Sequence, residues 1–247
     1  LWTRPGEDWS GFLGPTGNGR SELRDAVVPW AETGPGVSWT LELGEGYCGP
    51  AVSEGRAFVF DRIAGEERLR CVRAETGEVL WGKMSPTGYV DMFGYDGGPR
   101  SSPVLCDNRV ITYGAEGMLA CRRQVDGSLQ WKVETGKEFH VVPNFFGVGA
   151  SPVIYRKTSG SQNKLVIVQV GGSARGESPA NPQRLDLVKG LDSGLVAFDI
   201  ENGREVWRTS SELASYSTPL LNTFDGEVRL LAWMRDRLLL IDPESGA

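Results

Sequence analysis

The sequence predicts an all-β fold, a β-propeller of four-stranded antiparallel blades with about four blades present. Three observations carry this expectation. Glycines that follow a polar residue recur at Gly77, Gly127, Gly203 and Gly246, each with a leucine eight residues before it (Leu69, Leu119, Leu195, Leu238). A tryptophan stands four residues after each of the first three, at Trp81, Trp131 and Trp207. Small-residue–Pro–apolar steps at Gly49-Pro50-Ala51, Ser102-Pro103-Val104, Ser151-Pro152-Val153 and Thr218-Pro219-Leu220 precede these glycines by 27, 24, 51 and 27 residues. Two anchors in register over four copies define a repeat. No segment keeps a 3.6-residue apolar period, so strands fill each copy. Short sheets of this kind cannot bury both faces alone, and stacking them radially does so.

In the first copy Pro50–Ser53 opens a strand, Arg56–Asp61 alternates into a second, Arg68–Ala74 makes a third and Glu78–Lys83 a fourth. Turn signals separate them at Glu54-Gly55, Gly65-Glu66-Glu67 and Thr76-Gly77, the last supplying the positive φ of a tight hairpin. The second copy repeats the pattern as Ser102–Cys106, Arg109–Tyr113, Met118–Arg123 and Ser128–Val133. The third carries an insertion, Gly171–Asp192, with two prolines in Ser178-Pro179-Ala180-Asn181-Pro182. Loops of that length are uncommon and often functional; a solvated flap with one short helical turn is the simpler expectation.

The fourth copy, Thr218–Asp242, holds three strands. Trp39, in Val37–Leu43, marks an outer strand that arrives before any complete copy. Either this strand closes a ring of four by completing the last blade, or further blades follow Ala247; the second is the expectation, because Ala247 lies within a hairpin turn. The domain organisation is thus an N-terminal arm, 1–36, and a propeller, 37–247, with blades at approximately 49–84, 102–134, 150–209 and 217–247. Trp39, Trp81, Trp131 and Trp207 are expected to pack between blades, where each ring buries about 150–250 Å². Ligand stacking is the lesser alternative for them.

The formal charge of −6 offers no basic footprint for nucleic acid or anionic lipid. No apolar run approaches the ~18 residues of a membrane span. His140 is the only histidine, which excludes multi-histidine zinc and iron sites within the chain. Cys48, Cys71, Cys106 and Cys121 form no CxxC pair and read as free, buried small hydrophobes. The chain opens on Leu1-Trp2-Thr3-Arg4-Pro5, without a signal-peptide pattern.

Two segments carry a family resemblance. Ala74-Glu75-Thr76-Gly77-Glu78-Val79-Leu80-Trp81 and Ala197-Phe198-Asp199-Ile200-Glu201-Asn202-Gly203-Arg204-Glu205-Val206-Trp207 resemble the A-x-D-x-x-T-G-x-x-x-W signature of pyrroloquinoline-quinone (PQQ)-like repeat propellers. The stretch from Asp8-Trp9-Ser10-Gly11 to Gly17-Asn18-Gly19 is similar to the leader of mature bacterial proteins of that family. Arg73, Arg123 and Asp126 depart from the signature, which has Asp, Asp and Thr there. The resemblance implies seven or eight blades, export to the periplasm or beyond the cell, and one of two functions. Dehydrogenases of the family hold PQQ on Ca²⁺ and commonly carry a vicinal Cys-Cys pair, whereas non-catalytic members, outer-membrane-assembly lipoproteins among them, bind protein partners. With no Cys-Cys dipeptide and no calcium set assignable by motif, this sequence sits nearer the second group. No cofactor and no metal are expected.

Propeller ligands sit at the channel mouth, beside the connections from one blade's outer strand to the next blade's inner strand. Here these are aromatic and Gly-rich: Tyr89 to Arg100, Phe139 to Gly149, and Leu213 to Tyr216. Tyr95, Asp96, Arg100, Asn144, Phe145 and Tyr216 are the candidate site. Arg100 either pairs with Asp96 or receives an anion, and the rings offer flat faces to a carbohydrate- or peptide-like ligand. The competing reading is that these loops plug the channel. Asp91 and Asp96 lack the spacing of a calcium loop, and His140 has no nucleophile motif beside it. The leading function is a non-catalytic exported scaffold that binds a protein or ligand. The alternatives are a PQQ-dependent alcohol or sugar dehydrogenase, and a sensor or accessory module of a larger chain.

Overall fold

The structure, a computed structural model, describes residues 6–24, 29–157, 164–177, 179, 181 and 183–247. Residues 1–5, and Ser178, Ala180 and Pro182 of the insertion, lie outside these. Blade 1 is the meander β1 (Ala51–Ser53), β2 (Arg56–Ile63), β3 (Glu66–Arg73) and β4 (Val79–Pro86). Blade 2 follows as β5 (Val104–Cys106), β6 (Arg109–Tyr113), β7 (Met118–Arg123) and β8 (Leu129–Glu134). Blade 3 comprises β9 (Val153–Arg156), β10 (Lys164–Gln169), β11 (Leu195–Asp199) and β12 (Glu205–Thr209). Blade 4 has three strands, β13 (Leu220–Phe224), β14 (Glu227–Trp233) and β15 (Leu238–Ile241). All pairings are antiparallel. The described helix is confined to one turn at Thr135–Glu138 and a 3₁₀ turn at Leu185–Leu187.

The core lies in the seams between blades, because alternate residues of a strand face opposite neighbours. Phe58, Phe60, Leu69 and Cys71 of blade 1 meet Leu105 and Val110 of blade 2. Ile111, Tyr113, Leu119 and Cys121 meet Val166, Val168, Val196 and Phe198 across the next seam. Leu165, Ile167, Leu195 and Ala197 then meet Leu230, Ala232 and Ile241. The repeat leucines Leu69, Leu119 and Leu195 are therefore buried, each facing the following blade. Leu238 is not: it is 60% exposed, on a face of blade 4 that no other blade of the described residues covers.

The repeat glycines and tryptophans explain one another. The indole of each outer strand lies on the glycine turn of the following blade, so that a Cβ on Gly127, Gly203 or Gly246 would stand 2.7–2.8 Å from a ring carbon of Trp81, Trp131 or Trp207. Each Nε1–H donates to a carbonyl of that turn: Trp81 to Gln124 at 3.0 Å, Trp131 to Ile200 at 2.8 Å and Trp207 to Pro243 at 3.2 Å. Trp39 does the same to blade 1, lying on Gly77 and donating to Ala74 O at 3.0 Å.

The proline anchors form a second belt nearer the channel. Gly49 N–H donates to Ser102 Oγ, Ser102 N–H to Ser151 Oγ, and Ser151 N–H to Thr218 Oγ1, at 2.9–3.1 Å. The hydroxyl residues before Pro103, Pro152 and Pro219 thus link adjacent inner strands.

The inner strands β1, β5, β9 and β13 adjoin in that order, with no comparable packing of β13 on β1. The array is open, and the closed ring of four is not formed. Residues 37–43 lie against blade 1 and not beside β15, and the structure pairs them with no strand. The arm runs along the inner strands, where Trp9 and Val52 exchange both backbone hydrogen bonds at 2.8 Å and Leu105 N–H donates to Ser10 O at 2.7 Å. Nor is the third-blade insertion a solvated flap throughout. Leu185 and Val188 are buried with Leu213, against Val142 and Phe145. All four cysteines are free; Cys71, Cys106 and Cys121 are buried and Cys48 is half-buried.

Candidate functional site

The blade-to-blade connections gather the loops that carry the six candidate residues into one cluster. The Phe93 ring lies 5.8 Å from each of Tyr95, Phe145 and Phe146, and Phe146 lies 6.0 Å from Tyr216. Main-chain bonds knit the loops together: Met92 N–H donates to Phe145 O, and Phe146 N–H donates to Tyr216 Oη at 2.9 Å. Asn144 Nδ2 reaches Ala214 O at 3.4 Å, and its Oδ1 accepts Phe145 N–H. Each of the six is at least partly exposed, Tyr95 most so at 76%. The inner side of the cluster seals the connections, while its outer side presents rings to solvent.

Arg100 does not pair with the Asp96 carboxylate. Its guanidinium donates to the main-chain oxygens of Asp96 at 3.0 Å and Gly98 at 3.2 Å, and lies over the rings of Tyr47 and Phe146 at 5.4 and 5.1 Å. The Asp96 carboxylate is occupied by Gly98 N–H and Gly46 N–H. Asp91 is buried and clamps its own loop, accepting from Phe93 N–H and Asp96 N–H at 2.7 Å. Those backbone donors, that of Asp96 foremost, hold its carboxyl below the usual range. Both carboxylates are thus turned onto N–H groups of their surroundings, which does not fit the free oxygens a calcium-held quinone requires. Burial pushes the Tyr216 hydroxyl up.

Phe12 and Tyr47 were missed by sequence reasoning. With Arg100, Phe146 and Tyr216 they line a recess of about 280 Å³. They come from the arm and from the segment before blade 1, whose path over the inner strands leaves no periodic signal. Phe93 and Phe146 fall inside the aromatic connections, and their density there was the available clue. His140 is exposed at the end of the helical turn, with φ +51°, and its carbonyl accepts from Ser173 Oγ.

A larger cleft of about 1030 Å³ is lined by residues of all four blades and their connections, among them Glu67, Tyr89, Glu116, Arg122, Asn144, Gln169 and Arg235. Glu67 is buried, and Oε1 accepts Ala115 N–H at 2.8 Å. Desolvation, with a smaller contribution from the nearby Glu116 charge, pushes its carboxyl up to about 7. Burial likewise raises the Tyr89 hydroxyl to about 12. No helix of the described residues is long and apolar enough to cross a membrane.

A family model described as outer membrane protein assembly factor BamB matches residues 24–186 and again 65–247. The two overlapping matches are what a repeat array produces. Among solved structures, a europium-containing methanol dehydrogenase matches with a TM-score of 0.53 at 16% identity, over 80% of this chain and 40% of that one. The quinohemoprotein alcohol dehydrogenase ADHIIG of Pseudomonas putida HK5 matches with 0.50 at 16% identity, over 81% and 33%. BamB from Moraxella catarrhalis matches with 0.47 at 18% identity, over 83% and 50%. The chain therefore spans half or less of the length of these proteins. No curated protein sequence matches it.

Proposed function

The chain belongs to the PQQ-like repeat propeller family whose model is described as outer membrane protein assembly factor BamB, and on that premise we propose that it is a non-catalytic, exported scaffold binding a protein partner. The reading is carried by one observation: rings from three successive connections meet at one mouth, with Tyr95, Phe93 and Tyr216 facing solvent around Arg100. Exposed aromatics on loops held by a rigid scaffold are the usual composition of protein-binding surfaces. The inward-turned Asp91 and Asp96 support a reading without calcium or quinone. The family description supports a protein partner over a carbohydrate.

The test uses a synthetic peptide of alternating aromatic and polar residues, patterned after an outer-membrane β-strand, titrated against the chain by tryptophan fluorescence. Saturable binding is expected, weakened about tenfold or more by Tyr95→Ala or Tyr216→Ala, as for an aromatic anchor worth over about 1.4 kcal/mol. Calcium-dependent binding of PQQ, with reduction of a dye by an alcohol, would instead make the chain a dehydrogenase.

A further inference from the structure

Two aromatic loops of the mouth hang from one short turn, and a buried acid is seated on that turn. Gly114-Ala115-Glu116-Gly117 joins β6 to β7, closed by Gly114 N–H on Met118 O and Gly117 N–H on Gly114 O, both at 2.9 Å. The first loop leaves blade 1 through Thr87 and Gly88, whose hydroxyl and N–H donate to the Glu116 carboxylate at 2.7 and 3.0 Å. The second starts from the helical turn Thr135–Glu138, where Thr135 N–H donates to Gly117 O at 2.9 Å. It ends where Val148 N–H donates to Ala115 O at 3.0 Å. The fit there is close: a Cβ on Gly147 would stand 2.4 Å from Ala115 O and 3.0 Å from the Tyr89 ring. The contacts of Phe93 with Phe145 and Phe146 span these two loops, so the turn sets how the rings meet. All of it lies within blades 1 and 2 and the connections that follow them.

The acid is Glu67, from β3 of blade 1, whose Oε1 accepts Ala115 N–H at 2.8 Å. Its Oε2 takes the space that a Cβ on Gly114 would need, 2.2 Å from that position. The charged and titratable groups that bear on it come from three elements. Arg62 stands opposite it on β2, Glu116 belongs to the turn, and Cys48 lies on the segment before blade 1. On β4 the opposite residue is Ser85, which carries no charge. Arg62 is engaged with the first loop, its Nη1 donating to Tyr89 O at 2.7 Å and Gly97 O at 2.9 Å. Burial therefore outweighs its attraction, and the seat favours the neutral carboxyl up to about pH 7. By linkage, a seat that favours the proton is weakened by the same free energy once the proton leaves.

We propose that Glu67 is a proton-operated latch on the aromatic mouth, holding its two loops together when protonated and letting them loosen when ionised. Protonated, the carboxyl stays on turn 114–117, and the bonds from Thr87, Gly88, Thr135 and Val148 keep the rings assembled. Ionised, it gives one proton to water, is repelled by Glu116, and moves toward the cleft that it already lines. Ala115 N–H then loses its acceptor, and the turn loses the contact that fixes it to blade 1. A partner of the assembled rings is held more tightly on the acidic side of neutrality; this last consequence rests on the reading of the mouth as the partner surface.

The experiment is amide hydrogen exchange on the whole chain without any partner, read as protection relative to the free amide at each pH. From about pH 5.5 to about pH 8.5, protection at Gly88, Ala115 and Val148 should fall about tenfold or more. It should stay below that of β10 throughout, as a local opening requires. Glu67→Gln, which cannot ionise, should show no such fall. Glu116→Gln, which removes the repelling charge, should move the wild-type midpoint to lower pH. A flat wild-type profile, a fall that survives in Glu67→Gln, or protection equal to that of β10 would each overturn the latch. The peptide titration described above, repeated at both pH values, tests the consequence: wild type should bind about tenfold more tightly at the lower pH, and Glu67→Gln equally at both. Equal binding by wild type at both pH values would overturn the link between latch and mouth. A pH-dependent exchange profile with no peptide binding at either pH would sustain the latch and remove the partner reading instead.

Discussion

Glu67 shows how one buried side chain sets a pH response that its sequence neighbours do not announce. Its ordinary value of 4.5 rises to about 7 in the fold, chiefly through desolvation. Its contribution to stability is therefore fully present below pH 4.5 and is lost as pH rises through about 7, where the buried carboxyl ionises. The displacement corresponds to about 3 kcal/mol. Glu67→Gln keeps an oxygen for Ala115 N–H without the charge. It should leave the denaturation midpoint nearly unchanged at about pH 4.5 and raise stability by up to about 3 kcal/mol at about pH 8; equal effects at both pH values would place the carboxyl in water. Nothing in Gly65-Glu66-Glu67 identified this residue, since a turn signal says where the chain reverses and not what packs over it.

At the scale of the element, the tryptophan and the glycine turn act as one joint. Gly203 adopts φ +72° and lies under the Trp131 ring, so it is held by backbone conformation and by space together. Trp131→Ala should cost ~3–5 kcal/mol, as other large-to-small core changes do, and Gly203→Ala should also destabilise, because its methyl meets the same ring. Chemical denaturation of both single variants and the double variant checks the coupling: strict additivity would mean the two do not share a contact. The turns also show what the departures from the signature do. Asp199 and Asp242 accept N–H groups from Glu201 and Glu244. Arg73 and Arg123 stand in the places of these aspartates, while the bond to the residue after the glycine is kept in all four turns, Glu78, Ser128, Arg204 and Ala247 N–H donating to the side chains of Thr76, Asp126, Asn202 and Ser245. The strand order and the glycine turns were legible because each copy repeats them locally.

For the whole molecule, a linear array of blades should be most stable where its seams are fullest. The seam of blades 2 and 3 holds the largest buried cluster, including Tyr113, Leu119, Val166 and Phe198, while the seam of blades 1 and 2 holds a smaller one. Hydrogen exchange should be slowest in β7, β10 and β11; slowest exchange in β2 and β3 would reverse this ranking. By itself the sequence determined the blade, its four strands, its glycine turn and the tryptophan that leaves it, because a repeat states each local requirement several times over. It also grouped Tyr95, Arg100, Phe145 and Tyr216 on neighbouring loops, which the structure joins through Phe93 and Phe146, because residues before each proline must lie where inner strands begin. Only the tertiary structure decided that Asp96 spends its carboxylate on Gly46 and Gly98, that Phe12 and Tyr47 join the mouth, and that Leu238 faces outward while Leu69, Leu119 and Leu195 do not. Those outcomes depend on which segment lies on which face of a sheet, and side-chain periodicity is the same whether a face is covered or bare.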